Sequence, residues 1–193
     1  RVVAIQHGEA IFNLQASFHR DEEGLEFQRE MPTDLPAPET LPDVKTRLAP
    51  HRERLGPYAD FPRPIDLRYV TSDPLSRHGD PETEQLVWFR ADGTLPDDPV
   101  LHACIVTYAS DMTLLDTTLL PFGLGWDAER IKMASLDHAM WFHGSFRADE
   151  WLLYDQRPFK TGGNRGLAGG SIFTHDGRLV VHVVQEGLIR VSP

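Results

Sequence analysis

Between Leu179 and Val191 the chain alternates. Leu179, Val181, Val183, Gln185, Gly187, Ile189 and Val191 form one face, apolar but for a single amide, and the other face carries His182, Glu186 and Arg190 among apolar residues. A period of two predicts a strand with one buried side. Three further strands are predicted before it, over Ile131–His143, Trp151–Gln156 and Gly166–Thr174, the last joined to it through an Asp176-Gly177 hairpin turn. The segment Asp98–Leu120 has no such alternation. It reads as a helix, with Asp98 as cap, Pro99 in the first turn, and Pro121, Gly123 and Gly125 as stop signals. It is apolar around most of its circumference, so burial on more than one side is expected. A buried helix followed by a run of antiparallel strands predicts an α+β architecture with a sheet wrapped round a helix.

The chain opens on a hairpin pattern, Val2–Ile5, a His7-Gly8 turn and Ile11–Phe18, without an initiator Met, and is read as a fragment lacking an N-terminal part. From Asp21 to Thr83 the composition shifts to Pro, Glu, Asp and Arg. This connector is expected to hold a helix near Leu41–Leu55, capped by Thr40 ahead of Pro42, and a short strand at Asp66–Val70. Glu84–Ala91 reads as another strand, ended by Asp92-Gly93. The expected division is a hairpin over residues 1–20, a linker over 21–65 and a complete unit over 66–193. The two hairpins also share a turn glycine and a strand-borne glutamine, Gln15 or Gln185, which hints at duplication.

Composition narrows the function classes. With 193 residues, 40% hydrophobic and 25% charged, this is an ordinary globular chain, and a net charge of −10 argues against a nucleic-acid partner. The single cysteine, Cys104, excludes an internal disulfide, favours a reducing compartment and is expected to be a buried, inert thiol. No apolar run is long enough to span a bilayer, so neither membrane insertion nor a secretory signal is expected.

Candidate chemistry lies where polar residues interrupt apolar surroundings. Gln185 needs fixed partners, because an unbonded buried amide costs about 1–3 kcal/mol. A satisfied core glutamine is the plain alternative to a functional one. Asp111 falls within the predicted helix and is either paired in the interior or turned to water with Ser110. Along a continuous Ile131–His143 strand, Ser135 and Asp137 would share a face and His138 would point away. Residues so close along one strand cannot form a Ser-His-Asp relay. Nor does the spacing of Asp137, His138 and His143 match a common metal-ligand pattern. Finally, Arg157-Pro158-Phe159-Lys160-Thr161-Gly162-Gly163-Asn164-Arg165-Gly166 is either a mobile hairpin connection or a glycine-rich segment that receives phosphates; it is not a Walker sequence.

Several stretches together resemble the acyl-CoA thioesterase II family. They are Ile5-Gln6-His7-Gly8, Phe12 to Phe18, Leu95-Pro96-Asp97-Asp98, Ala109-Ser110-Asp111, Ala134 to His143, Asp149 to Tyr154, Arg165-Gly166-Leu167-Ala168 and Val184-Gln185-Glu186-Gly187. The resemblance implies a double hot-dog fold, with the second unit complete and the first represented by its closing hairpin. It implies hydrolysis of acyl-CoA to fatty acid and CoA without a cofactor or metal, and a triad of Asp111, Ser135 and Gln185. Asp137 and His138 are then supporting residues, and Lys160, Gly162, Gly163 and Arg165 are candidates for contact with CoA. A homo-oligomer is implied as well. The competing readings are a non-catalytic acyl-CoA binding module and a hot-dog dehydratase, whose His-plus-carboxylate pattern at the helix start is not matched here. The ending Arg190-Val191-Ser192-Pro193 is not a peroxisomal address, so the bacterial cytoplasm is the expected location unless the tail is truncated.

Overall fold

A computed structural model describes residues 1–20, 22–77, 79–127 and 129–192. The alternating segments form an antiparallel sheet in the order β3-β4-β7-β8-β9-β5, where β3 is Ile65–Tyr69, β4 Gln85–Ala91, β5 Ile131–Ser135, β7 Leu152–Gly162, β8 Arg165–Thr174 and β9 Leu179–Val191. A short strand β6, Ala139–Phe142, also pairs with β9, so β5 and β6 together make one edge of the sheet. The α+β architecture expected from the sequence is the one observed.

One helix, α3 (Pro99–Ser110), packs on the concave side through Val106 and Ala109, against Val87, Phe89, Leu152, Tyr154, Ala168, Ile172, Val181 and Val183. Asp98 caps it, accepting from the Val100 and Leu101 amides. The helix is shorter than its apolar pattern predicts. Asp111 is its C-terminal cap, and 3-10 turns over Leu115–Phe122 follow, ended by Gly123 in the left-handed region at φ 61°. Thr117 and Thr118 turn their hydroxyls back onto the Leu114 and Leu115 carbonyls, a local competition that weakens helix continuation. The expected two-sided burial is also corrected: the sheet covers one side of α3, while Val100 and Tyr108 are 71% and 58% exposed. Cys104 lies on that open side, so it is an exposed thiol and not the buried one expected.

The convex face is covered in part by the connector. Met31, Leu35 and Leu41 pack over Leu86, Trp88, Trp151, Leu153 and Phe173. Here α1 (Val44–Leu48) and α2 (Arg52–Leu55) replace the single helix expected. The cap is Asp43, whose carboxylate accepts from the Thr46 amide, whereas the Thr40 hydroxyl bonds to the Ala37 carbonyl. At the start of the chain β1 (Val2–Gln6) and β2 (Glu9–Leu14) form a separate hairpin, closed at His7 and Gly8 with φ of 51° and 84°, as a type I′ turn requires. Its apolar residues are open to solvent, Ile5 at 69% and Ile11 at 61% among them. Gln15 lies just past the end of β2. Among the described residues no helix is long and apolar enough to cross a membrane.

Candidate active site at the end of helix α3

The predicted Ile131–His143 strand is interrupted, and the interruption builds the site. Ser135 lies opposite Gly187 and Ala139 opposite Val184, so four steps on one side match three on the other. The extra residue is taken up where the Leu136 and Asp137 amides both donate to the Glu186 carbonyl, at 2.9 and 3.3 Å. Such a bulge reverses the facing of everything beyond it. Met133 and Ser135 point to the concave side with Gly187, and so do Met140 and Phe142, which oppose Val183 and Val181. His138, expected to face away, therefore also turns inward.

Three elements now converge. Asp111 comes from the end of α3, Ser135 from the end of β5 and Gln185 from the middle of β9. The Ser135 hydroxyl donates to Asp111 Oδ1 at 3.1 Å. The Gln185 amide nitrogen donates to the same Oδ1 and, at 3.0 Å, to Ser135 Oγ. Both amide hydrogens are thus engaged, and among the described residues no hydrogen bond engages Asp111 Oδ2. Gln185 is fully buried while Asp111 and Ser135 are exposed, so the group opens to solvent on the carboxylate side. Gln185 Oε1 is buried without a partner among the described residues.

Asp137 and His138, expected as supporting residues, bond to the immediate chain neighbours of this trio. Asp137 Oδ1 accepts from the Glu186 amide at 2.9 Å, next to Gln185. The His138 ring bonds through Nε2 to Ser110 Oγ at 2.8 Å, next to Asp111. Because the Ser110 hydroxyl donates to the Thr107 carbonyl at 2.9 Å, Nε2 carries the hydrogen toward it and Nδ1 is left bare and buried. Burial pushes the His138 imidazole below its ordinary value, against the opposing pull of Asp111 and Asp137. The Ser110 carbonyl accepts from the Tyr154 hydroxyl at 3.3 Å, and that phenol is raised well above its ordinary value by burial and by the nearby Asp111.

A second buried network sits one turn further on. Gln85 and Gln156 oppose each other across β4 and β7. Gln85 donates to the Thr113 carbonyl at 3.1 Å and to Gln156 Oε1 at 3.3 Å, Thr113 Oγ1 donates to the same Oε1, and Arg77 donates to Gln85 Oε1 at 2.7 Å. It fixes the turn that follows Asp111. Sequence reasoning missed Ser110, Tyr154, Gln85 and Gln156 as parts of this scaffold. Gln85 could have been found from the sequence, since it opens the apolar run 86–89, whereas Gln156 stands between Asp155 and Arg157 and carries no such signal.

Lys160, Gly162, Gly163 and Arg165 are not gathered with the trio. The segment that holds them is neither a loose connection nor an open loop. β7 and β8 continue as a ladder to a two-residue turn at Gly163 and Asn164, with φ of 61° and 58°. Lys160 pairs with Leu167 and Arg165 with Leu188, which places both on the convex face.

The Acyl-CoA thioesterase family model matches residues 64–188, about two thirds of the chain and every element of the site. The chain belongs to the acyl-CoA thioesterase family. It is 39% identical over 204 aligned residues to acyl-coenzyme A thioesterase 8 of Homo sapiens, covering all of this chain and 63% of that protein. It is 35% identical to acyl-CoA thioesterase 2 of Haemophilus influenzae, covering 99% of this chain and 68% of that one. The crystal structure of an acyl-CoA thioesterase II from Mycobacterium marinum superposes with a TM-score of 0.76 at 43% identity, over 98% of this chain and 67% of that one. A conserved hot-dog protein of unknown function from Alicyclobacillus acidocaldarius, at 16% identity and a TM-score of 0.65 over 99% of this chain and 66% of that one, shares the fold. The chain is a partial double hot-dog and spans 63% of the length of its mammalian relatives.

Proposed function

We infer that the protein containing this chain hydrolyses acyl-CoA thioesters to a free fatty acid and CoA, with Asp111, Ser135 and Gln185 as the reacting group. The observation that carries this reading is the Gln185 amide bridging Asp111 Oδ1 and Ser135 Oγ at the open end of α3.

The bonding pattern supports a distinct role for each of the three. Gln185 and Ser135 both donate to Oδ1, which fixes the carboxylate plane and directs Oδ2 outward as the acceptor for a proton of an attacking water. Water adds to the thioester carbonyl carbon, its proton passes to Asp111, and the tetrahedral intermediate collapses with release of the CoA thiolate. The proton on Asp111 then returns to the thiolate or to solvent. Ser135 already directs its hydrogen to the carboxylate and uses one lone pair on the Gln185 amide, an arrangement better suited to orienting than to nucleophilic attack. Asp137 and His138 are positioning residues that fix the backbone on either side of the trio.

The test is release of free thiol from acyl-CoA substrates of graded chain length by the intact protein, compared with Asp111→Asn. Loss of a general base should lower kcat by about 10²–10⁴-fold. Binding of acyl-CoA with no thiol released at any chain length would instead identify a binding module.

A further inference from the structure

Where α3 ends, two side chains of the sheet take up backbone carbonyls on either side of Asp111. An α-helix leaves its last carbonyls without partners of its own. At this end the Ser110 hydroxyl donates to the Thr107 carbonyl and the Met112 amide to that of Ala109. The Ser110 carbonyl, immediately before Asp111, accepts from the Tyr154 hydroxyl at 3.3 Å, and the Thr113 carbonyl, two residues after it, accepts from the Gln85 side-chain amide at 3.1 Å. The two donors stand on neighbouring strands. Tyr154 on β7 pairs with Val87 on β4, and Gln85 lies two residues before Val87 on the same face.

Each donor is itself held in place. The Tyr154 ring meets Phe89 edge-on, with centroids 6.2 Å apart, and leans over Gly170, where a Cβ would stand 2.6 Å from Tyr154 Cε2. A side chain at 170 would displace the ring, so this glycine gives the phenol its reach under the helix end. Gln85 is oriented by Arg77, which donates to its Oε1 at 2.7 Å. A guanidinium offers only donors, so this bond decides that the nitrogen end of the Gln85 amide faces Thr113.

Ser110, Thr113, Tyr154 and Gln85 are all buried, so water does not stand in for either donor. The peptide group is planar, and the Ser110 carbonyl turns together with the Asp111 amide as one unit. A Ser110 carbonyl deprived of the phenol turns toward another donor and carries Asp111 with it. Misplacing a reacting group by about 1 Å costs about 100-fold in rate.

We propose that Tyr154 and Gln85 are positioning residues for the hydrolytic step, holding the backbone on both sides of Asp111 so that its Oδ1 meets Ser135 and Gln185 and its Oδ2 meets the attacking water. This rests on the thioester-hydrolysis reading. Neither side chain touches the substrate; both act through the backbone that carries the base.

The experiment measures thiol release from one acyl-CoA by the intact protein, by Tyr154→Phe and by Gln85→Glu, each also combined with Asp111→Asn. Tyr154→Phe removes only the hydroxyl. Gln85→Glu keeps an acceptor for Arg77 and sets a carboxylate oxygen against the Thr113 carbonyl. Each should lower kcat by about tenfold with KM unchanged, at temperatures where circular dichroism shows the variant folded. Combined with Asp111→Asn, the same substitutions should have little further effect, because no base is left to misplace. A kcat within about twofold of the parent protein in the folded variants, or a loss of the same factor with and without Asp111→Asn, overturns the positioning role and leaves the hydrolase reading standing. No thiol released by the intact protein overturns both. Should one variant not fold, the other decides by the same criteria.

Discussion

Replacing Gln185 by leucine should separate activity from stability. The substitution keeps roughly the same buried volume and removes both amide donors. One of them serves a carboxylate, worth about 1.5–3 kcal/mol, and the other a hydroxyl, about 0.5–1.5 kcal/mol. If both act fully at the transition state, the loss is about 2–4.5 kcal/mol, or about 30- to 2000-fold in kcat. Folding responds differently. Asp111 and Ser135 are exposed, so water replaces the lost donors. Gln185 Oε1, in contrast, is buried without a partner among the described residues, a cost of about 1–3 kcal/mol that leucine abolishes. The two contributions nearly cancel, so Tm should stay within a few degrees or rise, at about 2–4 °C per kcal/mol for a domain of this size. Thiol release and thermal melting on the same preparation test this. A rate within fivefold of the parent protein, or a Tm lowered by more than about 8 °C, would refute the reasoning that the amide is held for orientation at the expense of packing.

Other expectations follow from the same geometry. Ser110→Ala strips the His138 ring of its bonded partner; it should cost about 1–3 kcal/mol, and a cycle with His138→Ala should be non-additive by about 1 kcal/mol in denaturant titrations. Burial and the neighbouring Asp73 push the Asp116 carboxyl up to about 7, against the pull of Arg77. Its protonated form is therefore favoured by folding, so that contribution is complete below about 3.8 and is lost as pH rises through about 7. Asp116→Asn should flatten the fall in unfolding free energy between about pH 3.8 and about pH 7. A Cβ added at Gly187 would run into the Leu115 side chain beneath Ser135. Gly187→Ala should destabilise by about 1–3 kcal/mol and lower kcat, and trimming Leu115 to Val should restore part of both.

Much of this was legible in the sequence because the signals were periodic. The alternation of β9 places Gln185 on the concave face, and observed and predicted bounds agree at Leu179–Val191. The hairpin turns were marked by His7-Gly8 and Asp176-Gly177, each with a glycine at positive φ. What periodicity does not carry is a change of phase. The bulge at Leu136–Asp137 leaves no compositional mark, so the pattern reads as a continuous strand and sets His138 on the wrong face. The early end of α3 is similar: the apolar run continues past Ser110, and the backbone changes course through the local Thr117 and Thr118 bonds together with tertiary ones such as that from Gln85 to the Thr113 carbonyl. The exposed side of α3, with Val100, Cys104 and Tyr108, defeated the expectation of burial because hydropathy reports what a face can bury and not what covers it. The trio itself was recognised through resemblance to the family, while its elements came from three places in the chain that no local pattern links.

The bulge between β5 and β6 also says how this region can vary over evolutionary time. Its function depends on counting residues: four steps on one strand against three on the other bring Ser135, His138 and Met140 to one side. Side chains at Leu136, exposed and without an assigned task, can drift freely. Losing or gaining one residue there would turn Trp141 inward and Met140 outward and detach His138 from Ser110, with no change in composition. Homologous sequences aligned over this stretch should therefore differ by exchange of residues and keep its length.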